Sequence, residues 1–129
     1  MVSSQDRLEI TTKSDRETKK IGVLFARALK EAHQGKCALV VSLEGDLGSG
    51  KTTFTKGFAE GLGIRDTVQS PTFVILKTYP LRRRTSKLRR PTSLVQYLIH
   101  IDAYRITPKD LNVLGWQEFT KDPHNIVLV

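Results

Sequence analysis

The stretch Ala38-Leu39-Val40-Val41-Ser42-Leu43-Glu44-Gly45-Asp46-Leu47-Gly48-Ser49-Gly50-Lys51-Thr52 decides the fold. Its first six residues form a β-rich apolar run, too short for a helix and apolar enough for a buried parallel strand. Gly45-Asp46-Leu47-Gly48-Ser49-Gly50-Lys51-Thr52 then fits G-x-x-x-x-G-K-[ST] at every required position. A helix from about Lys51 to Gly61 follows. Strand, glycine turn and helix in that order form a phosphate-binding loop. Glycines let the backbone wrap a phosphate with successive N–H groups pointing inward, and the next helix presents its positive end to the same group. Lys51 is placed to reach the β- and γ-phosphates, and the Thr52 hydroxyl to ligate Mg²⁺. The nucleotide-binding set is therefore Gly45, Asp46, Leu47, Gly48, Ser49, Gly50, Lys51, Thr52 and Thr53, with ATP and Mg²⁺ as the ligands. The plain alternative is a glycine turn that only joins strand to helix.

Upstream, Ser14-Asp15-Arg16-Glu17 reads as a capping box. Ile21, Leu24, Phe25, Ala28 and Leu29 behind it make one apolar helical stripe, ended by Gly35. Leu8–Thr11 alternates and suits an edge strand. Downstream, Thr72–Tyr79 reads as a strand opened by Pro71, and Leu94–Ile101 as a further strand ending at Asp102. Thr107-Pro108 starts a short helix that Gly115 closes. Ile126–Val129 is a purely apolar run with which the sequence ends. A buried central strand calls for a loop after it, so the expectation is one domain over residues 1–129, incomplete at its C-terminus.

Mg²⁺ needs a second anchor, ordinarily an acid at the carboxyl end of a neighbouring strand. Asp102 stands at such a place. It reads either as that anchor or as a turn residue, and the demand of the phosphate loop favours the anchor. His100 reads equally as a core or a catalytic histidine. Thr72, after Ser70-Pro71, is a candidate γ-phosphate sensor or simply a strand-forming threonine. Trp116 is expected to be a partly buried core aromatic.

Charge and cysteine content bound the rest. The 129 residues carry 21 Lys+Arg against 13 Asp+Glu, a net charge of +8. Six of the basic residues (Arg82, Arg83, Arg84, Lys87, Arg89 and Arg90) lie in the acid-free stretch Pro80–Tyr97. Without it the balance is 15 against 13, so the body is nearly neutral and a uniformly basic nucleic-acid coat is excluded. Cys37 cannot form an internal disulfide and suits a reducing compartment, with a small buried hydrophobe as its expected role. No apolar leader or membrane-length window is present, so the cytoplasm is the default location.

Several blocks together resemble one family. Gly45–Phe54, Gly61-Leu62-Gly63, Val68-Gln69-Ser70-Pro71-Thr72-Phe73 and His100-Ile101-Asp102-Ala103-Tyr104-Arg105 look like the TsaE (YjeE) family. The likeness runs from about Leu8 to Val129, with the basic segment outside it. The phosphate loop alone is shared by a superfamily, whereas the blocks Val68–Phe73 and His100–Arg105, in this order and spacing, are far more specific. The resemblance implies an α/β, P-loop NTPase-like, three-layer α/β/α fold with a mainly parallel central sheet. It implies a Mg²⁺-dependent ATPase, weak alone and promoted by the TsaB–TsaD pair. That pair transfers threonylcarbamoyl to adenosine 37 of tRNA, making t6A. By the same likeness Thr52 ligates Mg²⁺, Thr72 is the switch-type threonine and Asp102 the essential acid. Lys51, Thr72 and Asp102 are the catalytic set; Tyr104 and Arg105 share the block, and Arg105 suits a structural salt bridge equally well.

Two departures qualify the likeness. Family members follow the strand at Ile126–Val129 with a Glu-Trp pair whose glutamate acts at the metal and water. The 129 residues stop before it. They are therefore expected to bind nucleotide with impaired hydrolysis, as a binding module, while a longer protein would hydrolyse normally. A small-molecule kinase is a further rival, with the arginine-rich loop imitating a lid. The other departure is the basic inserted loop, 80–97, which reads as a solvated insertion or as a contact to tRNA phosphates through Arg82–Arg90. Replacing Arg82, Arg83 and Arg84 with glutamine is expected to weaken tRNA association and flatten its salt dependence in a binding titration. Unchanged binding would leave the loop a solvated insertion.

Overall fold

The computed structural model describes residues 6–46, 48–64, 76–81, 94–102 and 107–129. Eight elements follow in chain order: α1 (Asp15–Ala32), β1 (Leu39–Val41), α2 (Lys51–Gly61), β2 (Leu76–Pro80), β3 (Tyr97–Ile101), α3 (Pro108–Val113), α4 (Trp116–Lys121) and β4 (Asn125–Leu128). The four strands form one sheet in the order β1-β4-β3-β2. β4 pairs in parallel with both β1 and β3, and only β2 runs antiparallel, against β3. β3 and β4 are joined through α3 and α4, the crossover that two parallel neighbours require.

Side-chain alternation along the strands separates two cores. Leu98, Ile126, Leu128 and Tyr79 face one way and pack with Ala26 of α1 and Phe58, Ala59 and Leu62 of α2. Ile99, Ile101 and Val127 face the other way, against Leu111 of α3 and Trp116 and Phe119 of α4. Helices on both faces of a mainly parallel sheet make the three-layer α/β/α architecture expected from the sequence. β4 is its centre, buried at every position. Trp116 is half-buried, its ring edge-on to Phe119 with centroids 5.5 Å apart, as a core aromatic should be.

Several expectations shift. Among the described residues β1 is an edge strand, and Val40, on the face away from α1 and α2, is 47% exposed. Leu8–Thr11 forms no strand, and Leu8 and Ile10 lie exposed. Cys37 is exposed rather than buried, because the chain joins the sheet only at Leu39; between them Ala38 N–H is held by Thr120 O of α4 at 2.9 Å. The described part of the third expected strand begins at Leu76, and β3 begins at Tyr97 instead of Leu94.

α1 starts where its capping box places it, with Glu17 N–H donating to Ser14 Oγ at 3.2 Å. The Glu17 carboxylate accepts from Lys13 N–H (2.6 Å), one residue earlier than the standard box. The helix ends at Ala32 with His33 as its cap, before Gly35; the His33 ring is held by the Pro123 carbonyl at 3.0 Å. α3 has a full capping box between Thr107 and Asp110, and Gly115, at φ 92°, separates it from α4.

The buried face of α1 is not its apolar stripe. Gly22 and Ala26 are the buried residues, whereas Leu24 and Phe25 remain 50% and 42% exposed. The reason lies in α2. A Cβ on Gly22 would stand 2.5 Å from the Phe54 carbonyl oxygen, and one on Gly57 would fall inside contact distance of the Lys19 carbonyl oxygen. One on Gly61 would stand 2.9 Å from Ala26 Cβ. The two helices therefore meet backbone to backbone. Phe25, Phe54 and Phe58 seal one side of the contact, with ring centroids 6.1 to 6.3 Å apart.

Gly57→Ala is expected to destabilise the protein by about 2 kcal/mol in denaturant unfolding, because overpacking against a fixed backbone outweighs alanine's helix propensity. Ala28→Leu on the exposed side should change stability by less than about 0.5 kcal/mol.

Candidate nucleotide-binding site

The parallel register sets the site. Val41, Leu128 and His100 lie in one row across β1, β4 and β3, so all three strands finish at the same edge. The row continues past the ladder, with Leu43 N–H donating to Val129 O and Val129 N–H to Val41 O, each at 2.9 Å. Open α/β sheets bind ligands at this carboxyl edge. The glycine loop leaves it from β1. Asp102 leaves it from β3, two strands or roughly 10 Å across at ordinary strand spacing.

The loop has the backbone its sequence requires. Gly48 and Gly50 adopt φ of 80° and 97°, a region side chains disfavour. A Cβ on Gly45 would stand 2.5 Å from Ser49 Oγ, so a side chain there would have to displace the Ser49 hydroxyl from the closed loop. Ser49 N–H donates to Asp46 O at 3.0 Å and tightens the turn. The Lys51 ammonium folds back to donate to the Gly45 carbonyl across the loop. Gly50 caps α2 with no side-chain hydrogen bond, and the first turn of α2 carries no acid. α1 and α3, by contrast, have side-chain caps and acids in their first turns. The positive end of α2 is thus left for an external anion.

Thr52 is exposed and Thr53 half-buried in that first turn, while Thr55 turns inward and donates to Lys51 O at 2.7 Å. Thr52 and Asp102 offer hard oxygen donors of the kind Mg²⁺ prefers. Among the described residues no group of three or more His, Cys, Asp or Glu could cage a metal alone. A site that shares its ion with phosphate oxygens fits this donor set. Leu47, Thr72, Tyr104, Arg105 and the basic residues Arg82–Arg90 lie outside the described residues.

β3 directs Leu98 and His100 toward α2, and Asp102 holds the next place in that alternation. His100 Nδ1 is buried without a hydrogen-bond partner. Burial pushes the imidazole pKa down, partly opposed by the Asp102 charge, so His100 is neutral near pH 7. Its place two residues before Asp102 was legible; its unpartnered nitrogen was not, because that depends on packing against other elements.

Sequence reasoning also missed Thr12 and Thr18. Their hydroxyls lie 2.6 Å apart, and Thr18 sits against Gly50, its Cγ2 3.7 Å from where a Cβ on that glycine would be. No spacing rule relates Thr12 to a loop more than thirty residues away. A separate open groove of about 300 Å³, lined by Leu29, His33, Cys37 and Leu39 among others, lies at the opposite, amino end of β1. It contains none of the expected site residues.

A family model described as "Threonylcarbamoyl adenosine biosynthesis protein TsaE" matches residues 12–129. The chain is 42% identical over 113 residues to the tRNA threonylcarbamoyladenosine biosynthesis protein TsaE of Bacillus subtilis, an alignment covering 88% of this chain and 60% of the relative. With its Haemophilus influenzae namesake it shares 33% over 101 residues, covering 78% and 56%. The Aquifex aeolicus protein of that name is 32% identical over 130 residues, covering 93% and 84%. The chain thus spans a little over half the length of the first two. Among the described residues no helix is long and apolar enough to cross a membrane.

The lowered pKa of His100 has a stability consequence. Below the ordinary histidine value of about 6.5 the unfolded chain takes up the proton before the folded one. The His100 contribution is therefore complete above that pH and is lost progressively as pH falls from it through the lower pKa of the folded state. Urea unfolding of wild type and His100→Gln between pH 7.5 and 5 should show a smaller acid loss in the variant.

Proposed function

The chain belongs to the TsaE family, and on that premise we propose that it binds and hydrolyses Mg²⁺–ATP in service of tRNA threonylcarbamoyladenosine formation, acting with the TsaB–TsaD pair in the cytoplasm. One observation carries the reading: the glycine loop closes over Gly45, Gly48 and Gly50 ahead of a helix whose positive end no side chain caps. An anionic ligand completes that end, and a triphosphate is the ligand that also engages the lysine beside it.

Each residue then has a task. Backbone N–H groups of the loop and the first turn of α2 surround the β-phosphate. Lys51 exchanges the Gly45 carbonyl for phosphate oxygens, so its ammonium moves from an internal acceptor to a charged one. Thr52 and Asp102 would hold Mg²⁺, which when bound neutralises charge developing on the transferred phosphoryl group. Asp102 projects from the sheet edge that carries the loop, and the parallel register fixes its distance from it. Thr72 is assigned the γ-phosphate-sensing role by family likeness. The basic stretch Arg82–Arg90 supplies a tRNA-facing charge, separate from the nearly neutral body.

Activity of this kind is weak in the isolated protein, so the test includes its partners. Phosphate release from Mg²⁺–ATP is to be measured with and without TsaB–TsaD, for wild type, Lys51→Ala and Asp102→Asn. The expected result is partner-stimulated release in wild type and a loss of about 10²-fold or more in either variant. Asp102→Asn should still bind ATP in the absence of Mg²⁺, since its role lies at the metal. Wild-type release that both substitutions leave untouched would overturn the assignment.

A further inference from the structure

We propose that Cys37 is a reactive thiol with His33 as its general base. The groove at the amino end of β1 receives the apolar substituent of the small disulfide that modifies it. This site lies at the opposite edge of the sheet from the glycine loop and is independent of the ATP reading.

The surroundings of His33 supply the base. The residue is 8% exposed, and its Nε2 stands 3.0 Å from the Pro123 carbonyl oxygen. A carbonyl only accepts, so Nε2 carries the proton and Nδ1 keeps its lone pair. Among the described residues Nδ1 has no hydrogen-bond partner, and it is not sealed from solvent. His33 lines the groove, into which this acceptor opens.

Gly35 brings the cysteine to the same edge of the ring. A Cβ on Gly35 would stand 3.1 Å from His33 Cε1, 3.6 Å from His33 Nδ1 and 3.7 Å from the Cys37 carbonyl oxygen. The turn after α1 therefore folds over the Nδ1 edge and sets Cys37 beside it. Cys37 is exposed and lines the groove as well, so its side chain has the rotamer freedom to meet either Nδ1 or an incoming molecule. A nucleophile, a base and a third group that fixes the tautomer of the base are the parts an activated cysteine requires. The other walls include Leu29, Ala32 and Leu39, and the volume of about 300 Å³ suits a ring-sized apolar group.

The step balances as a thiol–disulfide exchange. The Cys37 thiol gives its proton to His33 Nδ1, and the thiolate attacks one sulfur of the disulfide. A bond from Cys37 Sγ to that sulfur forms as the S–S bond of the reagent breaks. The departing thiolate then takes the proton from the imidazolium. Cys37 is oxidised to a mixed disulfide, and the leaving half is reduced to a free thiol.

Cys37 is the single cysteine of the chain, so added mass reports on it alone. Modification by dithiodipyridine, an aromatic disulfide, and by the open-chain hydroxyethyl disulfide is to be timed by mass spectrometry. The samples are folded wild type, His33→Gln, Ala32→Phe and wild type unfolded in urea, each rate scaled to that of glutathione in the same solvent. Folded wild type should react about 10-fold faster than the unfolded chain, since an unassisted thiol is only a few per cent ionised near pH 7. His33→Gln keeps an amide N–H for the Pro123 carbonyl but has no base, and should fall to the unfolded rate with both reagents. Ala32→Phe, which fills the groove, should slow dithiodipyridine several-fold and leave hydroxyethyl disulfide unchanged. A folded wild-type rate no higher than the unfolded one would overturn the proposal, whether or not His33→Gln folds. So would a folded His33→Gln protein that reacts as fast as wild type. Dithiodipyridine that modifies Ala32→Phe at the wild-type rate would overturn the part given to the groove.

Discussion

A contact between two backbones holds this molecule in register. Where α1 crosses α2, glycine on one helix faces peptide groups of the other, and no side chain separates them. Close packing of this kind resists compression from either side, since the atoms in contact belong to hydrogen-bonded helices and cannot rotate away. α2 is the helix that begins at the phosphate loop, so fixing its lateral position fixes the direction of its uncapped end. The same approach brings the first turn of α1 beside Gly50. Without those glycines the helices would stand farther apart, and Thr18 would not reach the loop.

The sheet contributes the second half of the geometry. Three parallel strands finish in one row, and a central strand buried on both faces keeps β1 and β3 at a constant separation. Loop and carboxylate are therefore set by hydrogen-bond register and do not depend on a flexible connection. Polar capping is distributed to match. α1 and α3 have side-chain caps, while α2 and the short α4 are capped by glycine, and of these two only α2 also lacks an acid in its first turn. α2 is therefore the described helix whose positive end is offset neither by a side-chain cap nor by a first-turn carboxylate.

Much of this was legible in the residues. The loop, its flanking strand and helix, the Thr107 cap and the central position of the last strand follow from local patterns whose physics is local: φ freedom, capping and alternation. The apolar stripe of α1 was a weaker guide. Leu24 and Phe25 satisfy helical periodicity, yet Gly22 and Ala26 take the interface, because close approach rewards the absence of a side chain and hydrophobicity scales do not record that. Cys37 failed for a related reason. It precedes an apolar run and so looks buried, but the ladder begins two residues later. The unpartnered nitrogen of His100 belongs to the same class, since orphaning depends on what every other element brings near.

The sequence by itself determined that a glycine loop of phosphate-binding pattern exists, which residues build it, and that six of the eight excess positive charges lie in the single stretch Pro80–Tyr97. These are properties of contiguous residues, fixed by backbone conformational limits and by simple charge counting. Only the tertiary structure decided which face of α1 is buried, that β1 lies at an edge among the described residues, and that Thr18, in contact with Thr12, stands beside Gly50. Each of those depends on contacts between segments far apart in the chain, where shape complementarity, not local preference, selects the partner.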